Sequence, residues 1–189
     1  PGRMLNRPVP GDLYAYADGI TPYYTVTLNG QPVSGTPDKG YLTINRKWKK
    51  GDKVELRFDM SPRVIAAHRN VTADRGRIAI ERGPLVYCAE WPDNDFDIQN
   101  VVLNPNTRFI ASVTDKVNGL TELRGRARLL GRDAAGNVDI SDVDLTLIPY
   151  YAWAHRGQGQ MSVWIPSSPS ATRPEVIDTT DLTNEFLDK

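Results

Sequence analysis

Cysteine is all but missing from this chain: Cys88 stands alone among 189 residues. A single thiol excludes an internal disulfide and any metal site built on several thiolates. Histidine is nearly as scarce, with only His68 and His155. The two lie far apart in sequence, and no Gly-x-Ser-x-Gly segment supplies a nucleophile elbow, so no hydrolytic triad can be assembled. Long apolar runs are missing too, and none approaches the roughly 20 residues of a membrane helix. Charge of one sign is also lacking, because 23 Lys and Arg balance 23 Asp and Glu. Without a basic stripe, nucleic acid is not the expected partner. A hydrophobic content of 40% nevertheless suffices to bury a core, so the chain reads as folded. Its length suits one ordinary domain or two small ones.

What the chain does have is alternation. Residues 23–28 place Tyr24, Val26 and Leu28 on one face and predict a half-buried strand. Asn29-Gly30 follows at once, a hairpin signal because both residues tolerate positive φ. Residues 40–46 alternate again and predict a second strand. A turn follows over residues 48–52. Residues 53–60 send Val54, Leu56, Phe58 and Met60 inward and their charges outward, the pattern of an antiparallel sheet with one wet face. The stretch around Arg82-Gly83-Pro84 is different. It hinges two apolar runs, residues 78–80 and 85–89, and the second runs Leu-Val-Tyr-Cys-Ala without alternation, which predicts burial on both faces. Pro84 belongs at a strand's first residue or on an edge.

Residues 91–97 shift toward acid and turn formers, and set an expected boundary between a first lobe, residues 1–92, and a second, residues 93–189. Strands are expected over residues 108–113, 121–130, 144–151 and 160–166, with a turn cluster over 131–137. Residues 1–22 read as an irregular lead-in, and residues 178–189 as a short helix or a frayed tail. The fold class is all-β: an antiparallel β-sandwich in two lobes meeting near residues 90–95. The first lobe is expected to be incomplete at its N-terminus, where Pro1-Gly2-Arg3 reads as the continuation of an upstream segment.

Several side chains could carry chemistry. Asp93-Asn94-Asp95-Phe96-Asp97 mimics the start of a calcium loop, but Ile98 and Asn104 stand where Gly and a bidentate Glu are needed. A solvated interdomain turn is the reading, and Asp139, Asp142 and Asp144 are read likewise. Cys88, in its apolar run, is expected to be an inert core thiol. His155 reads as a loop residue. Glu81 and Glu90 are acid candidates only as any carboxylate is, and Glu81 beside Arg82 reads as a surface charge pair. The aromatics Tyr150, Tyr151, Trp153 and Trp164 suit either a sugar-stacking platform or core and interdomain packing, and packing is preferred.

Read together, several segments resemble a known family. They are Pro1-Gly2; Val26-Thr27-Leu28-Asn29-Gly30-Gln31-Pro32-Val33; Gly40-Tyr41-Leu42 with Arg46, Trp48, Gly51 and Asp52; Met60 with Pro62-Arg63; Glu81-Arg82-Gly83-Pro84-Leu85-Val86-Tyr87-Cys88-Ala89-Glu90; Ile148-Pro149-Tyr150-Tyr151-Ala152-Trp153-Ala154-His155-Arg156-Gly157; and Met161-Ser162-Val163-Trp164-Ile165-Pro166. In this order they resemble the C-terminal β-sandwich region of the bacterial β-L-arabinofuranosidases, glycoside hydrolase family 127. Arg3 and His155 depart from the Trp and Asn usual there. In that family the reaction belongs to an N-terminal helical barrel with a zinc held by cysteines and a glutamate. The resemblance therefore implies a non-catalytic end of a glycosidase acting on arabinofuranosyl glycans, with no catalytic, cofactor or metal residue of its own and zinc in the barrel. Its implied partners are its own upstream catalytic domain and a second copy in a homodimer; Tyr150, Tyr151 and Trp153 are the candidates for carbohydrate or interdomain contact. Rival readings are a carbohydrate-binding module and a self-sufficient hydrolase. The compartment stays open, with periplasm or exterior favoured over cytoplasm.

Overall fold

The computed structural model describes residues 12–20, 23–38 and 41–172. The expected helix or tail over residues 178–189 lies outside them, as does residue 40. The described chain is all-β and antiparallel, with thirteen strands in two sheets joined by turns and short 3-10 segments.

The small sheet has the order β3-β2-β4, with β2 at Tyr24–Leu28, β3 at Gln31–Pro32 and β4 at Val54–Phe58. The hairpin between β2 and β3 turns on Asn29 at φ 52° and Gly30 at φ 78°, as the Asn-Gly pair predicts. The Asn29 side chain also ties the turn to β4's approach: its amide donates to Asp52 Oδ1 at 2.8 Å and its oxygen accepts from the Lys53 N–H at 2.8 Å. Register then sets apolar residues opposite one another, Tyr24 with Phe58, Val26 with Leu56 and Leu28 with Val54. Directly opposed residues share a face. That face was expected to point inward. Instead Val54 is 46% and Leu56 53% exposed, and no layer among the described residues covers them.

The large sheet begins with β1 (Tyr14–Tyr16) and continues through β5 (Pro62–Ala67), β6 (Arg77–Arg82) and β7 (Leu85–Glu90). Next in spatial order come β11 (Val138–Pro149), β10 (Leu120–Arg132) and β8 (Val101–Val102). Three short strands complete the edges: β9 (Ile110–Thr114) on β10, β12 (Met161–Ser162) on β7 and β13 (Ile165–Pro166) on β6. The sheet folds over on itself. Ile78, Ile80, Tyr87 and Ala89 from one side share a core with Val101, Leu123, Ala127, Leu145 and Leu147 from the other. The two layers are also joined where the Leu103 N–H donates to the Pro166 carbonyl at 2.8 Å. Opposite faces of the same strands fill two smaller cores, one around Cys88, Leu120, Ile148 and Ala152, the other around Tyr16, Ile65 and Ala79. Central strands are thus buried on both faces, as the unbroken apolar run over residues 85–89 predicts.

The β6–β7 turn explains its own sequence. Gly83 has φ 58°, a conformation that strains any side chain, and a Cβ there would lie 2.3 Å from the Met60 sulfur and push that side chain aside. The β10–β11 hairpin closes through Asp133, whose carboxylate accepts from the Ala135 and Asn137 N–H groups at 2.9 Å each.

The chain changes sheet between β4 and β5, around residues 59–61, and β5 to β7 hydrogen-bond into the same sheet as β10 and β11. Some strand expectations fail. Residues 41–46 form no strand; Tyr41 makes only an isolated bridge to Asp38. The predicted strand over 160–166 is two short strands split at Val163 and Trp164, and β11 starts well before Asp144. Strands β1 and β5 carry no alternation that would have revealed them. Glu81 is no surface charge: at 2% exposure it lies in a strand with both faces covered.

Candidate functional site

Charged and aromatic groups converge at the loop that follows β11. Pro149 ends that strand, since it lacks the N–H that the next ladder bond needs. A 3-10 turn, Tyr150–Ala152, then carries the chain outward, and Ala154 takes φ 66°. The loop is pinned by Arg156. Its guanidinium donates to Asp93 Oδ1 at 2.9 Å and Oδ2 at 2.6 Å and to Glu90 Oε2 at 2.5 Å, while the other Glu90 oxygen accepts from the Ala154 N–H at 3.0 Å. Lys116 bridges Asp93 (2.7 Å) to Glu122 (2.8 Å), and Arg124 caps Glu122 at 2.7 Å. Three carboxylates and three cations therefore form one chain of ion pairs under the loop. Beside it, the Trp91 ring packs against the loop's return, so close that a Cβ at Gly159 would fall 2.0 Å from it.

Burial and charge compete in this network. Burial alone would push the Asp93 carboxyl up, but the hydrogen bonds and charges of Arg156 and Lys116 outweigh it and hold it below its usual range. Glu122 is held low by Lys116 and Arg124 against the same burial. Lys116, though partly desolvated, is raised by Asp93 and Glu122. Carboxyls held low stay ionised at neutral pH and cannot serve as general acids, whose task requires a raised value. The geometry is that of a structural clamp.

Asn94 takes a further structural role. Fully buried, it donates to the Glu90 and Thr146 carbonyls at 2.9 and 3.0 Å and accepts from the Thr146 N–H at 2.9 Å. Its amide thus continues the β7–β11 ladder where the backbone departs. The expected solvated turn over residues 93–97 is in this respect the opposite of solvated. Asp93 and Asn94 are spoken for by protein groups, and Asp97 accepts from the Gln99 N–H at 3.0 Å. Of the other acidic candidates, Asp144 pairs with Arg126 at 3.0 Å on the exposed β11 face. His68 accepts from the Asn70 N–H at 3.2 Å in a turn, and His155 lies 3.1 Å from the Ala152 carbonyl.

Cys88 is fully buried, and burial, aided by the Glu90 charge, pushes its thiol up to about 12. The zinc that the resemblance places in a barrel finds no fitting donor set here: that thiol is protonated and enclosed, and no three ligating side chains cluster among the described residues. No helix among them is long and apolar enough to cross a membrane.

The three aromatics separate. Tyr150 and Trp153 stack, with ring centroids 5.8 Å apart and planes at 13°, and both are about half exposed. Tyr151, 61% exposed, is not part of that stack. Tyr150 also borders a shallow depression of about 540 Å³, shared with Trp164, Asp74 and Arg77. Trp164 is itself backed by Tyr14 at 5.4 Å.

Residues 62–166 match the glycoside hydrolase family 127 C-terminal domain, and residues 16–60 match the family's β-L-arabinofuranosidase middle domain. The chain belongs to glycoside hydrolase family 127. The junction between the two matches coincides with the change of sheet after β4. Among relatives of this family 127 chain, the non-reducing end β-L-arabinofuranosidase of Bifidobacterium longum subsp. longum is 35% identical over 158 residues, covering 75% of this chain and 23% of that protein. A solved family 127 β-arabinofuranosidase superposes with a TM-score of 0.83 at 50% identity, over 92% of this chain and 27% of that one. A family 127 β-L-arabinofuranosidase from Geobacillus stearothermophilus T6 superposes at 0.68 with 35% identity, over 76% and 24%. The chain thus spans about a quarter of the length of the relatives it matches.

Proposed function

We propose that this chain is the non-catalytic β region of a glycosidase acting on arabinofuranosyl-containing glycans, and that it supports the helical barrel in which the reaction takes place. The observation that carries this reading is the pair of family matches, to middle and C-terminal domains only, in a chain a quarter as long as its relatives. Two features agree with it. The carboxylates gathered under the 150–160 loop, Glu90, Asp93 and Glu122, are all committed to cations. The apolar pairs of the small sheet offer a ready-made docking face, and exposed apolar faces of folded proteins mark interaction surfaces. The occupant assigned to that face is the upstream part of the same glycosidase. Zinc, where the parent uses it, belongs to the barrel.

The test compares the purified chain with a full-length family 127 relative on aryl arabinofuranosides, with and without added zinc. Turnover confined to the full-length protein is the expected result. Turnover by this chain that disappears on changing one of its carboxylates overturns the reading.

A further inference from the structure

We propose that the depression between Tyr150 and Trp164 is a binding site for a neutral oligosaccharide. The assignment of ligand class rests on the glycosidase reading above, but its physical grounds are local. A sugar ring presents an apolar C–H face and a rim of hydroxyls, so its site needs an aromatic plane next to paired donors and acceptors. The depression provides both. Tyr150 and Trp164 border it, and each ring stacks on a second aromatic, Tyr150 on Trp153 and Trp164 on Tyr14. Rings already fixed lose little entropy when a ligand stacks on them.

The polar groups are equally fixed. Arg77, which lines the depression, donates to the Trp164 carbonyl at 3.1 Å, the Ala171 carbonyl at 2.7 Å and Gln99 Oε1 at 3.5 Å, which fixes its guanidinium and leaves part of its donor fork uncommitted. Asp74 borders the same depression, and among the described residues no side chain pairs with its carboxylate. An acceptor and a donor fork on one rim suit adjacent hydroxyls of a sugar. One carboxylate beside one guanidinium leaves the site near neutral overall, which disfavours phosphate and other anions. Its shallowness disfavours a purely apolar ligand, which needs enclosure. Tyr151 does not line the depression and plays no part.

Isothermal titration of this chain with arabino-, xylo- and gluco-oligosaccharides tests the proposal without reference to hydrolysis. Saturable binding to at least one series with a Kd below about 10 mM is expected. Tyr150→Ala and Asp74→Asn should each weaken it by about tenfold, with the thermal unfolding midpoint unchanged. Both residues are on the surface, so loss of folding does not confound the result. No binding to any series, or binding that survives unaltered in both variants, overturns the site. Because binding is read on the chain alone, its failure leaves the supporting role in a glycosidase standing, and turnover by the chain would overturn that role without touching this site.

Discussion

The two sheets obey the same local rules and end in opposite situations. In the small sheet, Val54, Leu56 and Phe58 alternate faultlessly with charged neighbours, and yet Leu56 is half exposed. In the large sheet, β7 shows no alternation at all, and Tyr87, Cys88 and Ala89 are essentially inaccessible. Alternation therefore reports which face is apolar, while burial depends on whether another layer arrives. In the large sheet that layer comes from the chain itself, as β10 and β11 fold back over β6 and β7. In the small sheet no described residue supplies it.

The sharpest way to break the contrast is to attack the clamp beneath the 150–160 loop. Arg156→Ala strands Glu90 and Asp93, both buried, without their guanidinium. Removing one partner of a buried pair costs about 3–5 kcal/mol. Urea unfolding should register that loss, and a stability equal to the parent's would remove the clamp from the account. The variant also changes the response to acid. Asp93 and Glu122 are held below their unfolded values, so the stability they contribute is complete above about pH 4–5 and is lost as pH falls through the lower folded values. The parent should lose stability progressively below pH 4, and Arg156→Ala should lose less there, since Asp93 then keeps only Lys116.

Next in size is a direct comparison of two leucines. Leu147→Ala, fully buried in the main core, should destabilise by about 2–5 kcal/mol through lost transfer energy and a residual cavity. Leu56→Ala, on the open face, should cost less than about 1 kcal/mol. Equal losses would mean that the small sheet is covered after all.

The same pair of sheets shows where sequence reasoning reaches and where it stops. The Asn29-Gly30 hairpin, the Gly83 turn and the doubly buried run over residues 85–89 were legible because their causes are local: positive φ, a missing Cβ, a lack of polar residues. The aromatic candidates Tyr150 and Trp153 were legible by type, but their stacking and the separate course of Tyr151 were not. Asp93 misled because its partners Lys116 and Arg156 lie 23 and 63 residues away, so a short acidic stretch looked solvated. Asn94 misled for the same reason, since its partner Thr146 comes 52 residues later. The alternation over residues 40–46 suggested a strand, but an edge needs a neighbour, and Tyr41 meets only Asp38. Turn-forming residues such as those over 91–97 mark a change of direction, and here the chain turns while the strands on either side share one sheet.

A smaller effect belongs to Cys88. Its replacement by Ser buries a hydroxyl with no evident partner and should cost about 1–3 kcal/mol. The native thiol, enclosed and raised to about 12, should resist maleimide until denaturant is added. Fast labelling of the folded chain would contradict its place in the smaller core.

The smallest effect on stability should come with the largest effect on behaviour. Leu56→Asp places a charge in the middle of the open face, opposite Val26 and beside the exposed Val54. Within the isolated chain it desolvates nothing, so stability should stay within about 0.5 kcal/mol of the parent. Association is another matter. An apolar face without a cover drives self-contact, and the sheet's unpaired outer strands offer backbone groups to any neighbour. Light scattering across a concentration series should therefore show the parent forming larger species and the Asp variant forming fewer. If the variant is also mixed with the separately produced upstream portion of a full-length relative, complex formation should weaken in parallel, since one face would serve both contacts. A parent that stays monomeric at every concentration, and an Asp variant that binds the upstream portion as well as the parent does, would together show that this face is open by design and that docking takes place elsewhere.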